Sequence, residues 1–310
     1  MAKNSRPFFY NNVMVTQNPS KIIKNTQSVS LRPGTILKNY ELRKVIGFGG
    51  FSIVYMAKNK QTGKIVAIKE FYSPIYCKRL NNSRVEPISA NHNHKFKLGF
   101  KRFFDEALTL SYIRHPNIVH VDNFFRANNT AYMVMPYERG KDLRWLIKQT
   151  EESPNQNILL NIFLMVLAGL KEVHEQGFLH LDIKPGNILL RSSGDPLILD
   201  LGASHRVADF IEVPEIQTLT HGYSSPEQHL YKPLARSSDL YAVAMTMYAC
   251  ITHRNPPSAL DRCKHDRLVP LAKKYSHRYY SRTLDAIDAC TAIKPSQRPQ
   301  HVDEFVKMLV

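Results

Sequence analysis

The chain has 310 residues, of which 43% are hydrophobic and 22% are charged, and its formal net charge is +16. This apolar content is enough for a sizeable core, which excludes a chain that is disordered throughout. The length predicts about two compact units, or one large domain with a cleft. The positive charge makes nucleic acid, acidic proteins and lipid surfaces candidate partners.

The four cysteines lie far apart and form no C-x-x-C pair. This spacing disfavours a disulfide framework or a zinc site and favours a reduced, cytoplasmic compartment. The longest apolar stretch, residues 158–170, is shorter than the roughly 20 residues that a membrane-spanning helix needs. We therefore expect a cytoplasmic protein without a transmembrane segment.

Residues 1–36 are rich in Asn, Ser, Gln and Thr, and they carry basic residues but no acidic one. The apolar run Pro7-Phe8-Phe9-Tyr10 is too brief for the hydrophobic region of a signal peptide. The segment is predicted to be a mostly flexible, basic N-terminal arm. A solvated tail without a role is the alternative.

From Tyr40 onward, β-branched and aromatic residues alternate with polar ones between turn signals, which is typical of strands. A polar, basic insertion at 71–95 precedes a segment whose apolar residues recur at helical spacing. The predicted elements are strands over 40–46, 52–58, 65–70, 118–125 and 131–136 and a helix over 100–113.

Beyond Glu138 the apolar periodicity becomes mainly helical, with two short strands. No internal repeat is visible. The predicted elements are helices over 143–148, 158–175, 238–253, 284–290 and 302–309 and strands over 188–191 and 197–199.

Three glycines lie between the first two predicted strands, in Gly47-Phe48-Gly49-Gly50-Phe51-Ser52. Glycines let the backbone approach phosphate oxygens, to which its N–H groups can donate. The pattern alone is weak evidence, because a glycine-rich hairpin is as often only a turn. A dinucleotide-binding βαβ fold is disfavoured, because no predicted helix follows directly.

The predicted strand Val66-Ala67-Ile68-Lys69-Glu70 carries one lysine in an apolar run. A buried lysine is costly unless a carboxylate or a phosphate pairs with it. Glu106, in the predicted amphipathic helix, is the candidate partner. The alternative is a lysine on an edge strand that reaches solvent.

The segment His180-Leu181-Asp182-Ile183-Lys184-Pro185-Gly186-Asn187 places a carboxylate, an ammonium group and an amide on one short loop. Asp200-Leu201-Gly202 follows directly after the apolar run 197–199. An acid at a strand end, together with an amide oxygen from Asn187, indicates a site for Mg²⁺ that bridges phosphates.

In this order, the motifs resemble those of the eukaryotic-like (Hanks-type) protein kinase family, in its bacterial serine/threonine branch. Thr220-His221-Gly222-Tyr223-Ser224-Ser225-Pro226-Glu227-Gln228 is similar to the T-x-G-Y-x-x-P-E-Q form of the A-P-E motif. Ser238-Asp239-Leu240-Tyr241 is similar to the family's S-D-I-Y helix start, and Arg298-Pro299 carries the arginine that pairs with the A-P-E glutamate. The resemblance covers residues 38–310.

The resemblance implies an α+β, bilobal protein-kinase-like fold. After the arm, residues 37–310 would form the kinase domain. Its small N-lobe (37–135) would be an antiparallel β-rich unit with one key helix. A hinge (136–139) would lead to a larger, mainly helical C-lobe (140–310).

The resemblance also implies an ATP-dependent serine/threonine protein kinase that uses Mg²⁺ or Mn²⁺. Asp182 would orient the substrate hydroxyl and accept its proton, and Lys184 would stabilise the transferring phosphoryl group. Asn187 and Asp200 would hold the metal ions. The hydroxyl of Thr220, at the position typical of serine/threonine kinases, would bridge the catalytic aspartate and lysine.

For the nucleotide, the resemblance implies that Lys69 binds the α- and β-phosphates and that Glu106 holds Lys69. Adenine would lie between the lobes and bind the hinge backbone, where Pro136 offers a carbonyl but no N–H. Met135 would be the gatekeeper. The implied nucleotide-binding residues are Ile46, Gly47, Gly49, Gly50, Val54, Ala67, Lys69, Met135, Pro136, Tyr137, Leu189 and Asp200.

Three positions depart from the family pattern. Ser52 replaces the third glycine of the loop, and Leu201 replaces the phenylalanine of D-F-G. Leu181 stands where many members carry an arginine that binds activation-loop phosphate, and leucine cannot form that charge-assisted pair. We therefore expect a kinase of the non-RD type, whose activity does not require phosphorylation of the loop 203–223.

Three alternatives belong to other classes of protein. A pseudokinase, or nucleotide-binding scaffold, is disfavoured because all the implied catalytic residues are present. A small-molecule phosphotransferase would be expected to lack Ser225-Pro226-Glu227 and Arg298. A nucleic-acid-binding protein is suggested by the charge alone.

Basic residues concentrate between Asp261 and Arg282, interleaved with Tyr275, Tyr279 and Tyr280. Aromatic side chains among basic ones can stack on bases. A solvated basic face or a docking surface for an acidic protein is favoured over nucleic acid, since the kinase motifs already account for the chain. The expected partners are ATP and protein substrates, acidic ones among them.

Overall fold

The computed structural model describes most of the chain. The predicted arm lies largely outside the described residues, as does most of the loop 203–223. The described residues are 8–10, 13–15, 29–149, 152–201, 205–206 and 219–310.

The chain divides into two units. The first runs to Tyr112 and resumes over His120–Glu138; the second takes Ile113–Val119 and Arg139–Val310. The division after Glu138 falls within the segment predicted as the hinge.

Antiparallel strands dominate the first unit, because its sequence is rich in β-branched and aromatic residues at alternating positions. Its elements are β1 (Phe8–Tyr10), β2 (Val13–Val15), β3 (Ile36–Leu37), β4 (Tyr40–Phe48), β5 (Ser52–Asn59), β6 (Ile65–Phe71), β7 (Cys77–Arg79), β8 (Val85–Pro87), α1 (Asn93–Tyr112), β9 (Asn123–Ala127) and β10 (Thr130–Pro136). Six strands form one sheet in the order β3-β4-β5-β6-β10-β9, while β1 pairs with β2 and β7 with β8. The predicted β-rich region with one key helix is confirmed.

Helix α1 begins at Asn93, earlier than the predicted start at residue 100. The buried ring of Phe96 lies 5.6 Å from that of Phe71, measured between centroids. Gly99 allows this approach, because a Cβ atom there would lie only 3.0 Å from the Phe71 ring. The first turn of the helix is polar, so the spacing of apolar residues did not indicate where the helix begins.

The strand predicted over 118–125 is wrong in its first half. The Val119 N–H donates to the Ile198 carbonyl at 2.9 Å, and the Ile198 N–H donates to the Asn117 carbonyl at 2.8 Å. These bonds attach Ile113–Val119 to the second unit, so β9 begins only at Asn123. This segment lies within the range 37–135 that was predicted as the N-lobe.

A buried carboxylate organises the sheet face opposite to Lys69. Glu70 is fully buried and accepts hydrogen bonds from the hydroxyls of Tyr55 (2.8 Å) and Tyr132 (2.7 Å) and from the Arg79 guanidinium (2.6 Å). Burial and then the charge of Glu70 raise the pKa of both tyrosines, so both hydroxyls stay protonated donors.

The same network ties down the end of the arm and the insertion. The Leu31 N–H donates to the Tyr55 hydroxyl oxygen at 3.1 Å, and Arg79 of the insertion donates to the Val29 carbonyl at 2.5 Å. Leu31 is buried. The packed domain therefore begins near residue 29, before the predicted boundary at residue 37.

Helices dominate the second unit, and the prediction of a mainly helical region is confirmed. Its elements are β11 (Gly140–Asp142), α2 (Leu143–Gln149), α3 (Gln156–Glu175), β12 (Phe178–Leu179), β13 (Ile188–Arg191), β14 (Pro196–Ile198), β15 (His205–Arg206), α4 (Pro226–His229), α5 (Arg236–Thr252), α6 (Ala259–Lys264), α7 (Leu271–Tyr275), α8 (Ser281–Cys290) and α9 (Val302–Leu309). The short helices α4, α6 and α7 were not predicted, because so few turns carry too weak a periodicity.

Two helices form the core of the second unit. Helix α5 is buried on all sides from Ser237 to Ile251, as expected of a helix at the centre of a core. Among the described helices, α3 alone is long and apolar enough to cross a membrane by length and composition. Half of it is buried inside this unit, with Phe163, Val166 and Leu170 fully so, which is typical of a core helix.

Candidate functional site

The first unit holds a buried ion pair between β6 and α1. The Lys69 Nζ atom lies 2.6 Å from the Glu106 Oε1 atom, and only 8% and 4% of the two side chains are exposed. Lys69 also lies over the ring of Phe103, with 5.9 Å between Nζ and the centroid. The structure thus brings together the two residues that the sequence pairs, and the pairing holds the ammonium group in one place.

The second unit holds a cluster of polar side chains around Asp182. The Lys184 ammonium donates to both carboxylate oxygens of Asp182, at 2.9 and 2.7 Å, and to the Thr220 hydroxyl oxygen at 3.1 Å. The Thr220 hydroxyl donates to Asp182 Oδ1 at 2.7 Å. The Asn187 amide donates to the Asp182 backbone carbonyl and to Oδ2, both at 2.9 Å. These bonds fix the carboxylate in one orientation.

The local backbone explains how Asn187 reaches Asp182. Pro185 begins a 3₁₀ turn, Pro185–Asn187, and its fixed φ suits a first helical position. The turn folds the chain back, so that the Asn187 side chain faces Asp182, three residues before the turn. Asp182, Lys184 and Asn187 are each more than nine-tenths buried.

A second buried carboxylate, not assigned to the site from the sequence, holds the backbone that leads into this cluster. Asp239, in the first turn of α5, accepts the N–H groups of His180 (2.8 Å) and Leu181 (2.7 Å) and a hydrogen bond from the His174 ring (2.8 Å). Leu181 has a φ of 61°, a conformation that is strained for leucine. The two N–H bonds stabilise it. An acid among the apolar residues of α5 was the available signal.

The electrostatics of this support follow from burial. Burial raises the pKa of Asp239, but hydrogen bonding from His174 and the nearby imidazoles more than offset this, so its pKa lies below the ordinary value. Burial lowers the pKa of His180, and the carboxylates of Asp239 and Asp182 offset this only in part. His180 is therefore neutral, and its Nδ1 accepts the Asp182 N–H at 3.2 Å.

Oxygen donors suited to a divalent cation lie next to this cluster. The Asn187 amide nitrogen donates to Asp182, so the amide oxygen is the atom of this side chain that could coordinate a cation. The Leu199 N–H donates to the Asn187 carbonyl at 2.9 Å, and the half-buried Asp200 is the next residue along the chain. A carboxylate and an amide oxygen fit Mg²⁺, which takes its other ligands from water and phosphates. No group of three or more His, Cys, Asp or Glu residues in the described part of the chain could hold a metal ion.

The nucleotide-binding residues predicted in the first unit lie on neighbouring strands. The glycine-rich segment closes the β4–β5 hairpin, where the Gly49 N–H donates to the Ser52 carbonyl at 2.8 Å. Side-chain alternation places the predicted residues of β5 and β6 on the same face as Lys69. The register pairs Gly47 with Val54, Val54 with Lys69, Met135 with Ala67 and Pro136 with Val66.

The other predicted nucleotide-binding residues lie elsewhere in the two units. Ile46 is an exposed residue of β4, Gly50 belongs to the β4–β5 turn, and Tyr137 follows β10. Leu189 belongs to the second unit, where it pairs with Leu197 across β13 and β14.

A buried ion pair anchors the segment that follows Thr220. Arg298 binds Glu227 through two hydrogen bonds, at 2.7 and 3.0 Å, and only 0% and 2% of the two side chains are exposed. Burial raises the pKa of Glu227, but the hydrogen bonds and charge of Arg298 and the Ser238 hydroxyl more than offset this and hold the pKa below its ordinary value. Gly222 lies in the same segment, and only glycine fits there. Its φ is 84°, and a Cβ atom would lie 2.6 Å from the Pro256 carbonyl oxygen.

Helix α4 connects this anchor to the loop around Asp182. The Gln228 side chain accepts the Ser225 N–H at 2.9 Å, and its amide donates to the Leu181 carbonyl at 2.9 Å. The side chain of Leu181 is buried in an apolar cluster with Leu179 and Leu234. An apolar contact thus occupies the place where the family pattern has an arginine.

Comparison with known proteins adds to this geometry. A model of the family described as "Protein kinase domain" matches residues 40–308. "Serine/threonine-protein kinase D" of Synechocystis sp. is 30% identical over 232 residues, which are 71% of this chain and 42% of that protein. "Serine/threonine-protein kinase PknB" of Mycobacterium leprae is 27% identical over 266 residues, 82% of this chain and 40% of that protein.

The solved structure described as "PpkA-294 apo form" matches with a TM-score of 0.81 and 28% identity, over 91% of this chain and 100% of that chain. The chain spans about two fifths of the length of the curated relatives named above.

Proposed function

The chain belongs to the protein kinase family, and from this membership we propose that it transfers the γ-phosphoryl group of ATP to serine and threonine hydroxyls of protein substrates. The observation that carries the proposal is the set of hydrogen bonds that holds the Asp182 carboxylate between Lys184, Asn187 and Thr220. Phosphoryl transfer needs no protein nucleophile. It needs positioning of the reactants and neutralisation of charge, and this cluster is suited to supply both.

Asp182 orients the attacking hydroxyl and accepts its proton. Its two oxygens already accept four hydrogen bonds, two of them from Lys184, and a carboxylate has about four acceptor positions. The incoming hydroxyl therefore replaces one of the Lys184 contacts. That exchange frees a Lys184 N–H for the transferring phosphoryl group.

Each unit supplies residues with a proposed role toward the nucleotide or the metal ion. Lys69, held by Glu106, would bind the α- and β-phosphates. Asn187 and Asp200 would hold Mg²⁺, or Mn²⁺ in its place. When bound, the metal ion neutralises the charge that develops on the transferring group. The intact Lys69–Glu106 pair also speaks against a pseudokinase.

We expect the transfer to require a divalent cation. With γ-³²P-labelled ATP and casein or histone as substrate, an excess of EDTA should lower label incorporation to the level without enzyme. Excess Mg²⁺ should restore incorporation, and phosphosite mapping should find the label on serine and threonine. Undiminished transfer in EDTA, or label on tyrosine alone, would contradict the proposal.

We further propose that the kinase is of the non-RD type. The buried cluster of Leu179, Leu181 and Leu234 supports this, because an apolar cluster cannot bind a phosphate in the activation loop. Thr218, the loop hydroxyl that we single out, lies outside the described residues.

Phosphatase treatment combined with Thr218→Ala should therefore leave the turnover number within about twofold, since no cation at position 181 responds to the phosphate. Thr220→Ala is the matched control: it removes a hydroxyl that binds Asp182 and should lower turnover at least about tenfold. Loss of turnover in the dephosphorylated Thr218→Ala protein would contradict the non-RD proposal and leave the kinase proposal standing.

The basic face predicted between Asp261 and Arg282 needs one correction. Arg262 and Tyr279 are buried, and Arg262 binds Asp266 and the Tyr241 hydroxyl. We propose that acidic protein substrates bind to the remaining basic residues of this segment. These are all exposed: Lys264, Arg267, Lys273, Lys274, Arg278 and Arg282.

We also propose a cytoplasmic location for this domain. The four cysteines are free thiols, and burial raises the pKa of the Cys250 thiol to about 12. Thiols that form no disulfide with one another suit a reduced compartment.

A further inference from the structure

An arginine packs against the loop that carries Asp182. Gly186 of this loop precedes Asn187, whose amide donates to the Asp182 carboxylate at 2.9 Å. A Cβ atom at Gly186 would lie only 3.0 Å from Nε and 3.1 Å from Cζ of Arg144. Because glycine has no side chain, the Arg144 guanidinium lies against the backbone of the loop. A cation is therefore one residue away from a group that binds the proposed catalytic carboxylate.

Asp142 holds the Arg144 guanidinium in place. The Nε and Nη2 atoms of Arg144 donate to Asp142 Oδ2 at 3.1 and 2.6 Å. The Oδ1 atom of Asp142 accepts the Trp145 N–H at 3.2 Å, which attaches the carboxylate to α2. A guanidinium has five N–H groups in a fixed fork, so two bonds to Asp142 do not use all its donors. The Arg144 side chain is 55% exposed, and a ligand in solution can reach it.

The segment that begins at Thr220 also lies near Arg144. Ile147 is three residues further along α2, on the same face of the helix, and it packs against the buried cluster around Tyr223. Burial raises the pKa of Tyr223, and the charge of Arg144 opposes the rise. The Thr220 hydroxyl donates to Asp182 at 2.7 Å. Arg144 is therefore close to both segments that hold the Asp182 carboxylate.

The exposed charges of these neighbouring segments are all positive. Among the described residues of 139–148 and 219–232 there are two acids besides Asp182: Asp142 binds Arg144, and Glu227 is buried against Arg298. The exposed Lys and Arg residues of the two ranges are Arg139, Lys141, Arg144, Lys148 and Lys232. A surface with one sign of charge attracts ligands of the opposite sign.

We propose that Arg144 determines substrate specificity by binding the carboxylate of an aspartate or glutamate close to the serine or threonine that accepts the phosphoryl group. The inference rests on the proposed function and names the preferred sequence of its substrate, a hydroxyl with acidic neighbours. The guanidinium binds the carboxylate through charge-assisted hydrogen bonds. A substrate with basic neighbours brings like charges together at the same place and is disfavoured.

A purely structural role is the alternative for Arg144. In that role the pair with Asp142 would serve only to hold the start of α2 against the loop. An ion pair as exposed as this one contributes little to stability. The two roles differ in their effect on substrates. A structural residue affects transfer to every substrate equally, whereas a residue that binds the substrate responds to the charge of that substrate.

The test is transfer from γ-³²P-labelled ATP to three nine-residue peptides by the full chain. Each peptide has one serine at its centre, and the residues on both sides are glutamate, alanine or lysine. For the wild type, kcat/KM should be at least about fivefold higher for the glutamate peptide than for the alanine peptide, and lowest for the lysine peptide. Added salt should narrow these differences.

Substitutions of Arg144 should change the order of the three peptides. Arg144→Glu should reverse it, so that the lysine peptide becomes the best substrate. Arg144→Gln should bring the three values within about twofold of one another. Arg144→Lys should keep a weaker preference for glutamate, because lysine keeps the charge but not the planar fork. In all three variants, transfer to the alanine peptide and KM for ATP should stay within about twofold of the wild type.

The matched control is Lys294→Glu. It makes the same change in charge as Arg144→Glu, at an exposed lysine between α8 and α9, and should leave the order of the peptides unaltered. Peptides with a single glutamate, placed in turn at each position beside the serine, then locate the contact. The wild type should favour glutamate at a limited set of positions, and Arg144→Gln should lose the preference at those positions.

Several results would overturn the assignment of Arg144. Transfer to casein or histone without any preference among the peptides would do so and leave the kinase proposal standing. The same holds for an equal fall with all three peptides in Arg144→Gln, which would show a structural role, and for a change confined to KM for ATP. A reversal of the order by Lys294→Glu would point to net charge instead. If the wild type labelled no protein and no peptide, the proposed function would fail, and this inference with it.

Discussion

Asp182→Asn should lower the turnover number for phosphoryl transfer by about 10²–10⁴-fold, the usual contribution of a general base. The amide cannot accept the proton of the substrate hydroxyl. It also turns one acceptor into a donor, which then faces the donors of Lys184, Asn187 or Thr220. Both the proton transfer and the orientation of the side chain are lost.

Asp182→Asn should lower the turnover number and leave KM for ATP unchanged. Asp182 acts on the substrate hydroxyl, whereas the residues proposed for the phosphates and the metal are unchanged. Single-turnover label transfer with saturating ATP, together with binding of a fluorescent ATP analogue, separates the two quantities.

The control for this prediction is Asp285→Asn. Asp285 is an exposed aspartate on α8, so the same chemical change there should leave turnover unaltered. Far-ultraviolet circular dichroism should show equal helix content in all three proteins. Equal incorporation of label by the wild type and Asp182→Asn would refute the proposed role of Asp182 and, with it, the kinase proposal.

The sequence predicted the cluster around Asp182 well, because its members are close in sequence or belong to ordered motifs. Lys184 and Asn187 lie two and five residues from Asp182, so one turn at Pro185 determines most of their geometry. The strand that carries Lys69 and the helix that carries Glu106 were each visible from their periodicity.

The support of the cluster was not predicted, because it depends on contacts between distant residues. The Asp239 carboxylate binds N–H groups 59 and 58 residues away, at His180 and Leu181. Local propensity says nothing about such a contact, and Leu181 even adopts a φ that leucine avoids. Tertiary hydrogen bonds override the local preference here.

A hydrogen bond within the second unit explains why the strand predicted over 118–125 was wrong. The segment has the composition of a strand, but Val119 pairs with Ile198 rather than with the sheet of the first unit. Similarly, local propensity does not indicate that Leu31, which lies within the predicted arm, is buried and donates its N–H to the Tyr55 hydroxyl, 24 residues away.

Arg298→Met should destabilise the second unit by about 3–5 kcal/mol, the usual effect of removing one partner of a buried ion pair. The variant leaves the Glu227 carboxylate buried, where the Ser238 hydroxyl still donates to it at 2.7 Å. It also removes the guanidinium bonds to the carbonyls of Ala292 and Ile293.

The measurement is urea unfolding followed by tryptophan fluorescence. Trp145 is the only tryptophan of the chain and lies in the second unit, so its emission reports on the unit that contains the pair. With a slope of about 2 kcal/mol per M, the midpoint should fall by on the order of 2 M urea. Arg298→Lys should recover only part of this loss, because lysine cannot form the bidentate pair.

The effect should depend on pH in one direction. The folded-state pKa of Glu227 lies below its ordinary value, so the pair contributes fully above the ordinary carboxyl pKa of about 4.3. As the pH falls through the folded-state pKa, Glu227 is protonated and the contribution is lost. The difference in unfolding free energy between wild type and Arg298→Met should therefore be largest near neutral pH and narrow in acid.

A surface ion pair in the same unit is the control for the destabilisation by Arg298→Met. Lys171 lies 2.8 Å from Asp303, but both side chains are exposed, so Lys171→Met should leave the midpoint unchanged. Equal shifts for Lys171→Met and Arg298→Met would show that charge number, and not the buried bidentate contact, sets the stability. A difference between wild type and Arg298→Met that stays constant from pH 7 down through the titration of Glu227 would show that the lost guanidinium–carbonyl bonds, and not the ionised carboxylate, account for the effect.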